Sequence, residues 1–287
     1  MITNLQTRSA DRQYRWHRRR EFMRRLVLSG GGLLVTHLLT RASRAAVVPV
    51  DEPTIQVQRV SFAGEGGPIE AYLALPRKAL PRAGVLVVQE IFGLTGYIED
   101  VTRRLAVAGF AALAPDLYSR LGGTERALKE GGGDEARVVA QKLNDTQVNR
   151  DLDLSFAHLQ NQLGPQSKIG IVGFCWGGNK SLTYAAENPD IAASVVFYGS
   201  NPEPLGRVSN LEAPVLGNYA ARDERITSTL PELEAMLKKY GKAYDFKVYP
   251  NVEHAFHNDT RTDRYNAEAA LDAWERTIAF FNRYLAG

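Results

Sequence analysis

The chain has 287 residues, 44% of them hydrophobic, which is enough for one large α/β domain with a buried core and too apolar for a disordered chain. Residues 1–45 hold ten Lys/Arg against Asp11 and Glu21, whereas 46–287 carry 25 basic and 30 acidic side chains, so the +3 formal charge hides an acidic folded part with no electrostatic footprint for nucleic acid. A single cysteine excludes an internal disulfide.

At the N-terminus, Arg19-Arg20-Glu21-Phe22-Met23-Arg24 has the form of a twin-arginine export motif. A modest apolar stretch from Leu26 to Leu39 follows, interrupted by Ser29-Gly30-Gly31-Gly32 and too short and glycine-rich for a membrane span. Ser43-Arg44-Ala45, or Thr40-Arg41-Ala42 as a second choice, offers a small-x-small cleavage site. Residues 1–45 are therefore expected to be a signal peptide that engages the twin-arginine export machinery and delivers 46–287 to the periplasm or beyond. The other reading is a basic tail on a cytoplasmic enzyme. Gly30-Gly31-Gly32 precedes no strand–helix unit and is not a nucleotide loop.

Ile55–Phe62 and Ile69–Leu75 alternate as two strands joined by a glycine-rich turn, an antiparallel start to a sheet. Gly84–Val88 is a continuous apolar run, the mark of a strand buried on both faces. It ends in Gln89-Glu90-Ile91-Phe92-Gly93-Leu94, a loop placed where a parallel sheet presents ligand-binding groups. Tyr97–Ala108 has helical spacing, Phe110–Ala114 is a strand, and Pro115-Asp116-Leu117-Tyr118-Ser119-Arg120 closes it. Residues 121–134 are rich in glycine and charge and are expected to form a mobile surface excursion near the site. Glu135–Leu163 is expected as one helix, with strands at 168–174, 191–198, 214–219 and 244–249 and helices at 179–187, 230–240 and 266–285. Strand and helix alternate through most of the chain. The expected fold is α/β, a mostly parallel central sheet with helices on both faces, in one domain over 46–287.

The chemistry centres on Gly173-Phe174-Cys175-Trp176-Gly177-Gly178, an apolar strand running into Gly-x-Cys-x-Gly and then a helix. Glycines at both two-residue offsets suit a sharp strand-to-helix turn that holds a nucleophile at a strained backbone angle. Cysteine in this turn is a strong nucleophile once ionised, and the helix N-terminus favours that charge. A nucleophile of this kind needs a base and an orienting acid on later strand-end loops. Asp223, just past the strand at 214–219, and His254, just past the last strand, supply them in that order, with Glu224 and His257 as second candidates. His158 sits in a helix and reads as structural, and His17 and His37 belong to the leader. The backbone N–H groups of Trp176 and Ile91 are the candidate oxyanion donors. No metal cluster, phosphate-cradling loop or dinucleotide fingerprint is present in the sequence, so no cofactor is expected.

Taken together, Gln89-Glu90-Ile91-Phe92-Gly93-Leu94, Pro115 to Arg120, Gly173 to Gly178, Asp223 and His254-Ala255-Phe256 resemble the dienelactone hydrolases, or carboxymethylenebutenolidases, over roughly residues 55–285. The resemblance implies an α/β hydrolase that opens an enol-lactone with a Cys-His-Asp triad. It implies that Glu90 beside the thiol helps generate the thiolate when substrate binds, and that Arg120 helps bind a substrate carboxylate. A second carboxylate-binding arginine, four residues after the histidine in archetypal members, is Asn258 here, with Arg261 three residues further on. Phe92 and Tyr118 are further expected substrate contacts. The expected substrate is thus a small-molecule lactone or ester cleaved through an acyl-cysteine. A broader esterase or peptidase, and a non-catalytic ligand binder on the same fold, are the alternatives.

Overall fold

In the computed structural model, residues 48–78, 81 and 83–285 are described, except for the side chains of residues 130–133. The expected leader, residues 1–45, lies outside the described residues. Eight strands form one sheet: β1 (Ile55–Phe62), β2 (Ile69–Pro76), β3 (Ala83–Val88), β4 (Ala111–Pro115), β5 (Lys168–Phe174), β6 (Ile191–Phe197), β7 (Val215–Ala220) and β8 (Tyr244–Tyr249). Their spatial order is β1-β2-β4-β3-β5-β6-β7-β8. β1 and β2 pair antiparallel from Ile55 against Pro76 to Phe62 against Ile69, and β2 runs antiparallel to β4. Every other pairing is parallel. Eight strands with a parallel centre and helical cover are the α/β-hydrolase architecture expected from the sequence.

The helices are α1 (Gly96–Val107), α2 (Gly123–Gln141), α3 (Asp145–Leu163), α4 (Trp176–Glu187), the single turn α5 (Glu224–Thr227), α6 (Leu230–Lys239) and α7 (Ala267–Tyr284). The period-2 geometry of a strand explains why continuous apolar runs are needed here. On β3, Leu86 and Val88 join a core with Leu152 and Leu159 of α3, Leu182 of α4 and Leu233 of α6. Val85 and Val87 point the other way, into a core with Ile98 and Leu105 of α1 and Ala273 and Phe281 of α7. Each face of the sheet is thereby sealed, and burying one such side chain is worth about 1.5–3 kcal/mol.

Two expectations fail between residues 121 and 163. The segment read as a mobile excursion is helix α2, which runs through Gly131-Gly132-Gly133. Glycine costs a helix about 1 kcal/mol per residue relative to alanine. Here burial of Ala127, Val139 and Ala140 against the core decides the outcome. The single helix expected at 135–163 is broken after Gln141. Asn144 starts α3 with a reciprocal cap, its side chain accepting from the N–H of Gln147 at 2.9 Å while Gln147 accepts from the N–H of Asn144 at 3.1 Å.

Parallel strands all point the same way, so the loops at their C-terminal ends meet on one edge. Those after β3, β5, β6, β7 and β8 carry Glu90, Cys175, Tyr198, Asp223 and His254 respectively.

Candidate active site

Cys175 sits between β5 and α4 with φ 57° and ψ −117°, a backbone conformation that costs a non-glycine residue on the order of 1–3 kcal/mol. The surroundings hold it there. Its N–H donates to Phe197 O at 3.0 Å, and its carbonyl accepts from the N–H of Gly178 at 2.9 Å. The flanking glycines are required by close approach: a Cβ on Gly173 would lie 1.9 Å from Gly177 O, one on Gly177 2.3 Å from Gln89 O, and one on Gly178 2.9 Å from Gly199 Cα. The Gly-x-Cys-x-Gly-Gly spacing therefore encodes the packing of strand, turn and helix against their neighbours.

The His254 imidazole spans the gap between acid and thiol. Its Nε2 lies 3.1 Å from Cys175 Sγ and its Nδ1 2.5 Å from Asp223 Oδ2. Burial works against a charged His254, but the hydrogen bond to Asp223, followed by the contact with Cys175, outweighs it and lifts the pKa to about 9. Glu224 is exposed, and the carboxylate on the imidazole belongs to Asp223. His257 is buried with its Nδ1 2.7 Å from Tyr97 OH, among the rings of Phe174, Phe197 and Trp274. Burial, reinforced by Arg104, holds it far below the usual histidine range and therefore neutral.

Cys175 and His254 line a cavity of about 520 Å³ together with Glu90, Ile91, Phe92 and Trp176. The two residues proposed from sequence to supply oxyanion N–H groups, Trp176 and Ile91, thus line the same cavity as the thiol. Glu90 is 3% exposed; burial pushes its pKa up, against the lowering effects of an Asn258 hydrogen bond, His254 and Arg261. Asn258 Nδ2 donates to Glu90 Oε2 at 2.7 Å, while Asn258 Oδ1 accepts from the Thr260 N–H at 3.1 Å and its hydroxyl at 2.6 Å.

Arg261 is on the cavity wall, paired at two points with Asp263 at 3.1 and 2.9 Å. The structure does not bring Arg120 or Tyr118 there. Arg120 grips Asp151 of α3 through Nε at 3.0 Å and Nη2 at 2.5 Å, and it lines a separate pocket with Leu121 and Lys142. The Asp151 carboxylate, 31 residues downstream, takes the guanidinium that was expected to meet substrate. Tyr118 is fully buried, packs against Trp176 with ring centroids 6.2 Å apart, and donates its hydroxyl to Ile91 O at 2.6 Å. Its place is beneath the loop, fixing it.

Several cavity residues were not singled out from sequence, three arginines and a tyrosine among them. Arg137 comes from α2, Arg225 from α5, and Arg264 from the loop that holds Arg261. Tyr198 follows β6 with φ 41°, its ring edge-on to His254 at 5.0 Å. An aromatic residue at the C-terminal end of a parallel strand, as in Phe197-Tyr198-Gly199, is the signal that could have found it. Among the described residues no group of three or more His, Cys, Asp or Glu is placed to hold a metal ion.

Comparison with known proteins places the chain among hydrolases. The profile described as "Dienelactone hydrolase family" matches residues 69–285. A Methylorubrum extorquens protein named "Putative carboxymethylenebutenolidase" is 39% identical over 231 residues, covering 77% of this chain and 78% of its own. A Bradyrhizobium protein named "Probable 2-oxo-3-(5-oxofuran-2-ylidene)propanoate lactonase" is 32% identical over 82% of this chain and 97% of its own. Among solved structures, the "Putative Dienelactone Hydrolase" of Klebsiella pneumoniae superposes with a TM-score of 0.72 at 35% identity, covering 80% of this chain and 99% of that one.

Proposed function

Because the chain belongs to the dienelactone hydrolase family and is a hydrolase of that type, we propose that it opens an anionic lactone or small carboxylic ester through an acyl-cysteine formed on Cys175. The observation that carries this reading is the continuous contact from Asp223 through His254 to Cys175, at 2.5 and 3.1 Å.

Each group then has a task. His254 Nε2 draws the proton off Sγ and holds it, as its raised pKa favours, leaving the sulfur to attack the acyl carbon, and Asp223 holds the ring with Nδ1–H toward its carboxylate. The developing oxyanion is received by the N–H groups of Trp176 and Ile91. His254 returns the proton to the leaving oxygen, which in a lactone stays attached to the same molecule. It next draws a proton from water, which attacks the thioester and frees the sulfur. Glu90, on the same cavity, is the gate: a negative carboxylate and a negative sulfur disfavour each other, so its charge governs when the sulfur is ready.

The preference for an anionic substrate rests on the cavity wall, where Arg137, Arg225, Arg261 and Arg264 line the same cavity as the thiol. The names carried by the relatives, a carboxymethylenebutenolidase and a furan-ylidene propanoate lactonase, point to the same substrate class. The charge pattern, arginine pair, apolar run and small residues of 1–45 support export of the hydrolase by the twin-arginine route. Fractionation of cells expressing the full chain and its Arg19→Lys/Arg20→Lys variant tests this; equal recovery of both outside the cytoplasm would refute it. Turnover of a panel of carboxylate-bearing enol-lactones, neutral p-nitrophenyl esters and peptides tests the catalytic reading. The expected order is anionic lactones first, with Cys175→Ala inactive on all; a preference for neutral esters or peptides would refute the substrate class.

A further inference from the structure

A string of buried polar groups runs inward from Glu90. Tyr198 OH reaches Glu90 Oε1 at 3.4 Å, the outer limit of a hydrogen bond. The same hydroxyl faces that of Tyr97, which lies 2.7 Å from His257 Nδ1. Tyr198 and Tyr97 are at most 3% exposed and His257 is 1% exposed. The string is tight at the His257 end and slack at the Glu90 end. A tyrosine hydroxyl carries one proton, and here that proton has two claimants, the Glu90 carboxylate and the Tyr97 oxygen. His257 is neutral, so its ring keeps one nitrogen lone pair; in the tautomer with that lone pair on Nδ1, Tyr97 donates to it and the Tyr97 oxygen is left free to accept from Tyr198.

We propose that Tyr97, with His257 behind it, is a positioning residue that draws the Tyr198 hydroxyl away from Glu90 and so decides when Glu90 carries charge. The inference rests on the reading of Glu90 as the gate beside Cys175. The immediate surroundings of Glu90 make the hydroxyl decisive. Among the described residues its only short donor is the neutral Asn258 amide, and the charged groups that face it, His254 and Arg261, act on it without a hydrogen bond. Arg104 and Asp259 face Tyr97 with opposite signs, Arg104 also faces His257, and Cys175 faces Tyr198. Removing the Tyr97 hydroxyl therefore leaves the Tyr198 proton to the carboxylate, whereas removing the Tyr198 hydroxyl takes that donor away altogether.

The two substitutions are expected to act in opposite directions. The readout is the carboxylic-acid carbonyl band of Glu90 in infrared spectra taken across pH, isolated by subtracting the spectrum of Glu90→Gln. In Tyr97→Phe the band is expected to disappear at lower pH than in the unsubstituted protein, in Tyr198→Phe at higher pH. The double variant is expected to follow Tyr198→Phe, because Tyr97 acts only through that hydroxyl. Shifts in the same direction, a Tyr97→Phe shift that persists without the Tyr198 hydroxyl, or a Glu90 that shows no acid band in the unsubstituted protein would each overturn the proposal. Circular dichroism of the variants verifies that they fold. The spectra need no turnover, so hydrolysis by Glu90→Gln tests the gate separately: an undiminished rate would overturn the gating role and leave the spectroscopic result standing.

Discussion

Asn258 donates its amide to Glu90 at 2.7 Å, with its own oxygen held by Thr260, so a neutral and firmly oriented group occupies the position where the archetypal pattern has an arginine. Glu90 is buried there without an ion pair. Asn258→Leu removes its only short donor, and a buried carboxylate left unsatisfied costs about 1–3 kcal/mol. Urea unfolding of Asn258→Leu, Glu90→Gln and the double variant measures the coupling; the loss in Asn258→Leu is expected to be largely recovered in the double variant.

His254 links stability to pH. Its folded pKa of about 9 lies above the ordinary 6.5, so folding favours the imidazolium. The stabilisation is complete below about pH 6.5 and is lost as pH rises through 9. Chemical unfolding at intervals from pH 6 to 10 is expected to show this decline, and His254→Gln is expected to flatten it.

Arg120 and Arg261 are expected to separate stability from substrate binding. The Arg120–Asp151 pair is largely buried, at 12% and 5% side-chain exposure, and removing one partner strands the other. Arg120→Gln is expected to cost about 3 kcal/mol or more in unfolding free energy while changing KM for an anionic ester little. Arg261→Gln, at a solvent-facing pair on the cavity wall, is expected to raise that KM at least several-fold with little change in stability.

The turn around Cys175 tolerates no added carbon. Gly173→Ala would place a Cβ 1.9 Å from Gly177 O, backbone that cannot swing aside as a side chain does. Thermal unfolding is expected to show a loss of about 3 kcal/mol or more, and the remaining folded enzyme is expected to be nearly inactive because the nucleophile is displaced with the turn.

The legible parts of the molecule are those in which local chemistry and global position coincide. The glycines around Cys175 mark close backbone approach, and the buried strands announce themselves as unbroken apolar runs. Asp223 and His254 follow β7 and β8 so closely that chain order places them on the edge that holds the thiol. Where distant residues decide, the sequence was silent. Gly131-Gly132-Gly133 signals a loop, yet α2 forms there because its alanines and valine find the core. Arg120 belongs to a motif that elsewhere implies substrate binding, but Asp151 on another helix captures it. The start of α3 was missed by the single helix expected at 135–163, although Asn144 and Gln147 have capping-box spacing before an amphipathic run. Tyr198 was passed over as the last residue of an apolar strand, although an aromatic side chain at that end faces the edge where the site lies.

The central claim is that Cys175 carries the acyl group, and trapping that group tests it most directly. The enzyme is mixed with p-nitrophenyl acetate, the release of nitrophenolate is followed from the first milliseconds, and the quenched protein is digested and mapped by mass spectrometry. The expected result is a burst of one equivalent with the acetyl group on Cys175, absent in Cys175→Ala, and a turnover reduced about 10²–10⁴-fold in His254→Ala. Steady turnover by Cys175→Ala, or an acetyl group confined to any other residue, would contradict the account.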